Sequence, residues 1–141
     1  MNGIYNNPYV LELIMDALKD EKNAARLYER LAEAAQGDEE KELLMQLVSD
    51  ERKHYKMLLE IYYTLTGERL ENEPEADEPT ISDNLCREYA RLVKEEIEAA
   101  KGYRTMFFLF LNQELRDNFF EILTDEQHHA LILSYLTGAC V

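Results

Sequence analysis

The sequence predicts an all-α fold: a four-helix bundle built from two similar halves, with an internal two-fold repeat and one long crossover between the second and third helices. Three observations carry this. First, the frame ExxAAxxY occurs twice, so that Glu21, Ala24, Ala25 and Tyr28 correspond to Glu96, Ala99, Ala100 and Tyr103, 75 positions later. The same offset carries Asp50-Glu51-x-x-His54 onto Asp125-Glu126-x-x-His129, and self-similarity at a fixed spacing marks a repeated structural unit. Second, four stretches place apolar residues at alternating steps of three and four, the period of an amphipathic helix. Third, residues 68–80 break that pattern once, midway, with two prolines, many acids and almost no apolar residues.

Composition sets bounds on the rest. A chain of 141 residues is one domain that can bury a core unaided. Abundant Glu, Leu and Ala, with Pro8, Pro74 and Pro79 the only prolines, favour helix. A net charge of −14 repels nucleic acid and anionic membrane surfaces, and suits cations. The longest apolar run, Met106 to Leu111, falls far short of a membrane span. No signal peptide is expected, because Asn2, Asn6, Asn7 and Pro8 interrupt any apolar run at the N-terminus. Cys86 and Cys140 lack CxxC spacing and are expected to be reduced thiols, which fits a cytoplasmic location.

In chain order, residues 1–7 read as a loose arm. The first helix, about 8–36, begins with Pro8 in its first turn and carries the stripe Val10, Leu13, Ala17, Glu21, Ala24, Tyr28, Leu31, Ala35. Gly37 is expected to cap its end and Asp38 to cap the second helix, about 39–66, whose stripe is Leu44, Leu47, Glu51, His54, Leu58, Ile61, Leu65. At ~1.5 Å per residue that helix spans roughly 40 Å. The crossover, 67–81, is long enough when extended, at ~3.3 Å per residue, to return the chain along it. Ser82 or Asp83 is the expected cap of the third helix, about 82–111, with the stripe Leu85, Tyr89, Leu92, Glu96, Ala99, Tyr103, Met106, Phe110. Asn112-Gln113 marks a turn, and the fourth helix, about 114–137, carries Leu115, Phe119, Ile122, Glu126, His129, Leu133, Leu136.

Each stripe therefore has polar residues at mid-height where core residues belong. Four carboxylates and two imidazoles in one core are costly unless paired, protonated or coordinated. Two divalent cations balance four carboxylates and leave both histidines neutral as nitrogen donors. A single Glu-x-x-His in so acidic a chain reads as a solvated face; six ligand-type residues repeating on core stripes do not. His128, off the stripe, reads as solvated, and Tyr55, Tyr62 and Tyr63 as packing. The Ala24-Ala25 and Ala99-Ala100 pairs would allow close helix approach.

One Glu from each of two helices and a Glu-x-x-His from each of the others is the ligand pattern of ferritin-like di-iron and di-manganese carboxylate proteins. Over residues 8–138 the chain resembles that superfamily, most closely its rubrerythrin-like and bacterioferritin-like members. The resemblance implies two iron ions per chain, with manganese or zinc possible. It implies Glu51 and Glu126 as bridging ligands, Glu21 with His54 on one ion, and Glu96 with His129 on the other. It implies Asp50 and Asp125 as acceptors for the histidine N–H groups, and Tyr28 and Tyr103 as hydrogen-bond donors near the metals, although either tyrosine also reads as core packing. Three positions depart from the pattern. Val93 stands where rubrerythrins carry an additional glutamate, Arg52 stands where bacterioferritins carry a haem-binding methionine, and there is no Cys-rich rubredoxin segment.

The implied function is a di-iron peroxidase reducing hydrogen peroxide, or dioxygen, with electrons from a rubredoxin-like or flavoprotein donor and with no haem. Ferroxidase activity in iron storage or detoxification is the alternative at the same site, and a non-catalytic metal-binding assembly protein is the alternative of another class. Met106–Leu111, Phe119-Phe120 and Leu131-Ile132-Leu133 make the second helix pair apolar on more than one face, so a homodimer through the third and fourth helices is expected. The other reading of that face is a thick core partly covered by the crossover.

Overall fold

The computed structural model describes residues 7–140. Most of the expected N-terminal arm lies outside them. Its last residue, Asn7, is a cap: its side chain accepts the Tyr9 N–H at 2.9 Å and its carbonyl accepts that of Leu11. Four helices follow, α1 (Pro8–Ala34), α2 (Asp38–Thr66), α3 (Leu85–Leu109) and α4 (Gln113–Gly138). There is no strand among the described residues.

The helix ends differ from the sequence expectation where a single side chain decides them. Gly37 does not close α1; its carbonyl accepts the Lys41 N–H at 3.0 Å and its own N–H points to Glu40 at 3.4 Å, so it caps α2 and Asp38 lies inside the first turn. Asn84, rather than Ser82 or Asp83, caps α3 by accepting the Arg87 N–H at 3.1 Å. Ser82 instead accepts the Asn84 N–H. Asn112 caps α4 by accepting the Leu115 N–H at 3.0 Å. Gly67 ends α2 in the left-handed region, φ 76°, which a residue without Cβ adopts freely.

The chain divides into two compact units, Met1–Glu33 with Leu44–Thr80, and Ala34–Leu43 with Ile81–Val141. In the first, α1 runs antiparallel to α2: Arg52 pairs with Glu29 near one end, and Lys22 lies 4.9 Å from the Tyr55 ring further along. Val10, Ile14, Leu18 and Leu31 of α1 and Leu47, Leu58 and Ile61 of α2 are buried. The expected stripe of α1 shifts by one residue at two steps, with Ile14 and Ala25 buried and Leu13 and Ala24 only half-buried. The irregular segment after Gly67 is tied to α1 by Lys19–Asp77 at 3.0 Å, Lys22 to the Pro74 carbonyl at 2.8 Å and Arg26–Glu78 at 3.5 Å.

In the second unit α3 and α4 are antiparallel, with Phe110 stacked on Phe119 at 5.5 Å at one end. At the other end Cys86 and Cys140 form a disulfide, with Cα atoms 5.9 Å apart. This corrects the expectation of free thiols, and the cytoplasmic location loses that support. Local spacing could not show the pair, since its members are 54 residues apart and meet only because two antiparallel helices bring the start of α3 beside the end of α4. The first turn of α2 belongs to this unit too: Tyr89 donates to Glu40, and Tyr135 to Glu39 at 2.9 Å.

Candidate metal centre

Each unit buries the same set of polar side chains. In the first, α1 supplies Glu21 and α2 supplies Glu51 and His54, one helical turn apart and so on one face. In the second, α3 supplies Glu96 and α4 supplies Glu126 and His129. None of the six is more than 5% exposed. His54 Nδ1 lies 3.4 Å from Glu21 Oε2. His129 Nδ1 lies 3.7 Å from Glu96 Oε2 and 3.6 Å from Glu126 Oε1. Within each triad two carboxylate oxygens and one imidazole nitrogen lie within 4.8 Å of one another.

That donor set can be tested against a metal. Two oxygens and one nitrogen converging from two helices in a buried place suit iron, manganese or zinc, whereas calcium and magnesium favour all-oxygen shells. A bound cation would also offset the repulsion between two carboxylates held so close and so dry. The residues present therefore fit a divalent transition metal.

The residues that flank the triads in the sequence differ in burial. Tyr28 and Tyr103, seven residues beyond Glu21 and Glu96, are buried, and the Tyr103 ring stacks with Phe119 at 6.5 Å. Asp50 and Asp125 are half-buried, and Asp50 also lies 4.0 Å from Lys53. His128 is exposed, as expected. Arg52 is exposed and paired with Glu29, and Val93, one turn before Glu96, is half-buried.

The sequence reading missed a polar cluster beside the first triad. Tyr55, expected to pack, donates to Glu73 at 2.6 Å; burial, then this carboxylate, pushes its phenol well above the usual range. Lys19, Lys22 and Arg26 form a basic stripe on α1 facing an acidic segment, a signal present in the sequence at helical spacing.

The rubrerythrin family model matches residues 12–137, a span that includes both triads. The chain belongs to the rubrerythrin family. Among curated proteins it is 26% identical over 129 residues to the uncharacterized protein YhjR of Bacillus subtilis (strain 168), covering 92% of this chain and 87% of that one. No solved structure matches significantly. As a rubrerythrin-family chain it keeps a Glu-x-x-His in each half but has Val93 before Glu96. Its two cysteines are joined to each other and cannot make a four-cysteine iron site. Among the described residues no helix is long and apolar enough to cross a membrane.

Proposed function

We propose that this chain is a di-iron carboxylate redox protein that reduces hydrogen peroxide to water, with electrons from an external rubredoxin-like or flavoprotein donor. The observation that supports it most directly is the duplicated Glu–Glu–His triad, buried in both units of a rubrerythrin-family chain. In this reading Glu21, Glu51 and His54 of the first unit and Glu96, Glu126 and His129 of the second would hold the iron ions. When bound, the iron pair supplies one electron per ion and Lewis-acid binding of the oxidant. Reduction of peroxide takes two electrons and two protons and releases two water molecules. The buried triads exclude bulk water. Asp50 and Asp125 hold the histidine rings in one tautomer by accepting their N–H groups, and Tyr28 and Tyr103 offer O–H donors to ligand carboxylates.

The deciding experiment measures metal content of protein produced with iron, then follows reoxidation of the anaerobically reduced protein by peroxide and by oxygen. About two irons per chain, reoxidised faster by peroxide, is the expected result. Faster reaction with oxygen, together with assembly into a large hollow particle, would replace this reading with ferroxidase activity. Less than one metal per chain after reconstitution would remove the site and leave a non-catalytic helical protein.

We also propose that the chain forms a homodimer through α3 and α4. Ile97, Phe108 and Leu111 recur on one side of α3 and its end, and Phe120, Leu131 and Tyr135 on one side of α4, all exposed. By the 75-residue correspondence, Lys22 becomes Ile97 and Lys56 becomes Leu131. The Lys22 position, tied to the irregular segment in the first half, is thus apolar and exposed in the second, and a second copy is the occupant that such a self-complementary face fits.

A further inference from the structure

The two halves repeat their ligands but not what surrounds them, and the difference falls one residue away from two of those ligands. Lys22 follows Glu21 on α1, and Tyr55 follows His54 on α2. The Lys22 ammonium lies 4.9 Å from the centroid of the Tyr55 ring. The Tyr55 hydroxyl donates to Glu73 at 2.6 Å, and Lys22 donates to the Pro74 carbonyl at 2.8 Å. Two helices and the segment after α2 therefore meet at one point. One turn away, Asp77 accepts from Asn23 at 3.3 Å while its own N–H donates to the Asn23 side chain at 2.8 Å, and Lys19 adds an ion pair to the same carboxylate.

The positions that correspond in the second half are Ile97 for Lys22 and Ala130 for Tyr55. Neither side chain has a polar atom, so neither can make such a junction. Ile97 is exposed and Ala130 buried.

We propose that Tyr55, Lys22 and Glu73 form a positioning clamp that makes the Glu21/Glu51/His54 metal position the tighter of the chain's two. The inference rests on the metal-binding reading above. A ligand side chain binds well when its backbone and rotamer are fixed before the ion arrives, and partners just outside the ligands supply that fixing. The clamp sets the separation of α1 and α2 at the level where Glu21 Oε2 and His54 Nδ1 already stand 3.4 Å apart. Tyr55, Lys22 and Glu73 do not touch the ion. The second position lacks this junction and gives up its metal first.

The test is a Co²⁺ titration of the metal-free full-length protein, read by the visible absorption of the bound ion, with no activity assay involved. The wild type should fill in two steps, the tighter one missing in Glu21→Gln and the weaker one missing in Glu96→Gln. Tyr55→Phe, which removes only the hydroxyl, should weaken the tighter step by about 10- to 100-fold and leave the other unchanged. Glu73→Gln, which keeps an acceptor oxygen, should bind like the wild type, while Glu73→Ala at this exposed site should repeat the loss without unfolding the chain. The clamp is overturned if Tyr55→Phe leaves the tighter step in place, or if Glu21→Gln abolishes the weaker one. A wild type that takes up no Co²⁺ overturns the metal-binding reading as well, so the two failures are distinguishable.

Discussion

Glu51 is 1% exposed and shares its surroundings with a second carboxylate and an imidazole, so its charge has opposite consequences with and without metal. On the proposed metal-binding reading the carboxylate would be a ligand, and its loss would remove binding free energy that is also folding free energy. In the metal-free protein it is one of several converging acids, and removing it relieves repulsion. Glu51→Gln should therefore lower the melting temperature of the metal-loaded protein towards that of the metal-free one, while leaving the metal-free value unchanged or higher. Thermal melts of both proteins with and without chelator check this, and a wild type whose melting temperature ignores chelation near neutral pH contradicts the buried-site reading. The burial of Glu21, Glu51, His54, Glu96, Glu126 and His129 was legible in the sequence because an acid on an apolar stripe breaks the helical pattern in a way that repeats. Tyr55 was not, because an aromatic residue at a half-buried position fits packing as well as hydrogen bonding until its partner's position is known.

At the scale of elements, the helices were legible because the three-and-four spacing is a property of each segment alone. Every predicted core position of α2 and α4 is buried. What the pattern does not hold is the end of a helix, set by one capping side chain among several candidates, as the choice of Asn84 over Ser82 and Asp83 illustrates. Nor does it hold pairings across distant segments. Phe119, fully buried and stacked between Tyr103 and Phe110, ties α3 to α4, and Phe119→Ala should cost about 3–5 kcal/mol in denaturant unfolding. The disulfide closes a loop of 54 residues in the same unit, which on the chain-entropy account stabilises it by about 4 kcal/mol. Cys86→Ser should lose that amount in urea, a reductant should produce the same loss in the wild type, and reductant should do nothing further to the variant.

For the whole molecule, two opposed terms would govern the proposed self-association. Each chain carries a net charge of −14, so two copies repel at long range. Leu131 and Phe120, 69% and 56% exposed on α4, and Phe108, 70% exposed on α3, offer apolar area that gains only when it is covered. The repulsion is screened over about 8–10 Å at ordinary ionic strength, and the apolar gain is not screened at all. Dimerisation through this face should therefore strengthen as salt rises, the reverse of an interface held by ion pairs. Sedimentation velocity should show a species of twice 16.6 kDa whose share grows from low to moderate sodium chloride. Leu131→Glu places one more negative charge on each copy in a self-complementary interface, and it should give a monomer at all salt concentrations. Its helix content and melting temperature in the monomer should stay close to those of the wild type, because an exposed substitution away from the core changes stability by only about 0.5 kcal/mol. A wild type that sediments as a monomer at every salt concentration would show that the apolar side of α3 and α4 serves another purpose.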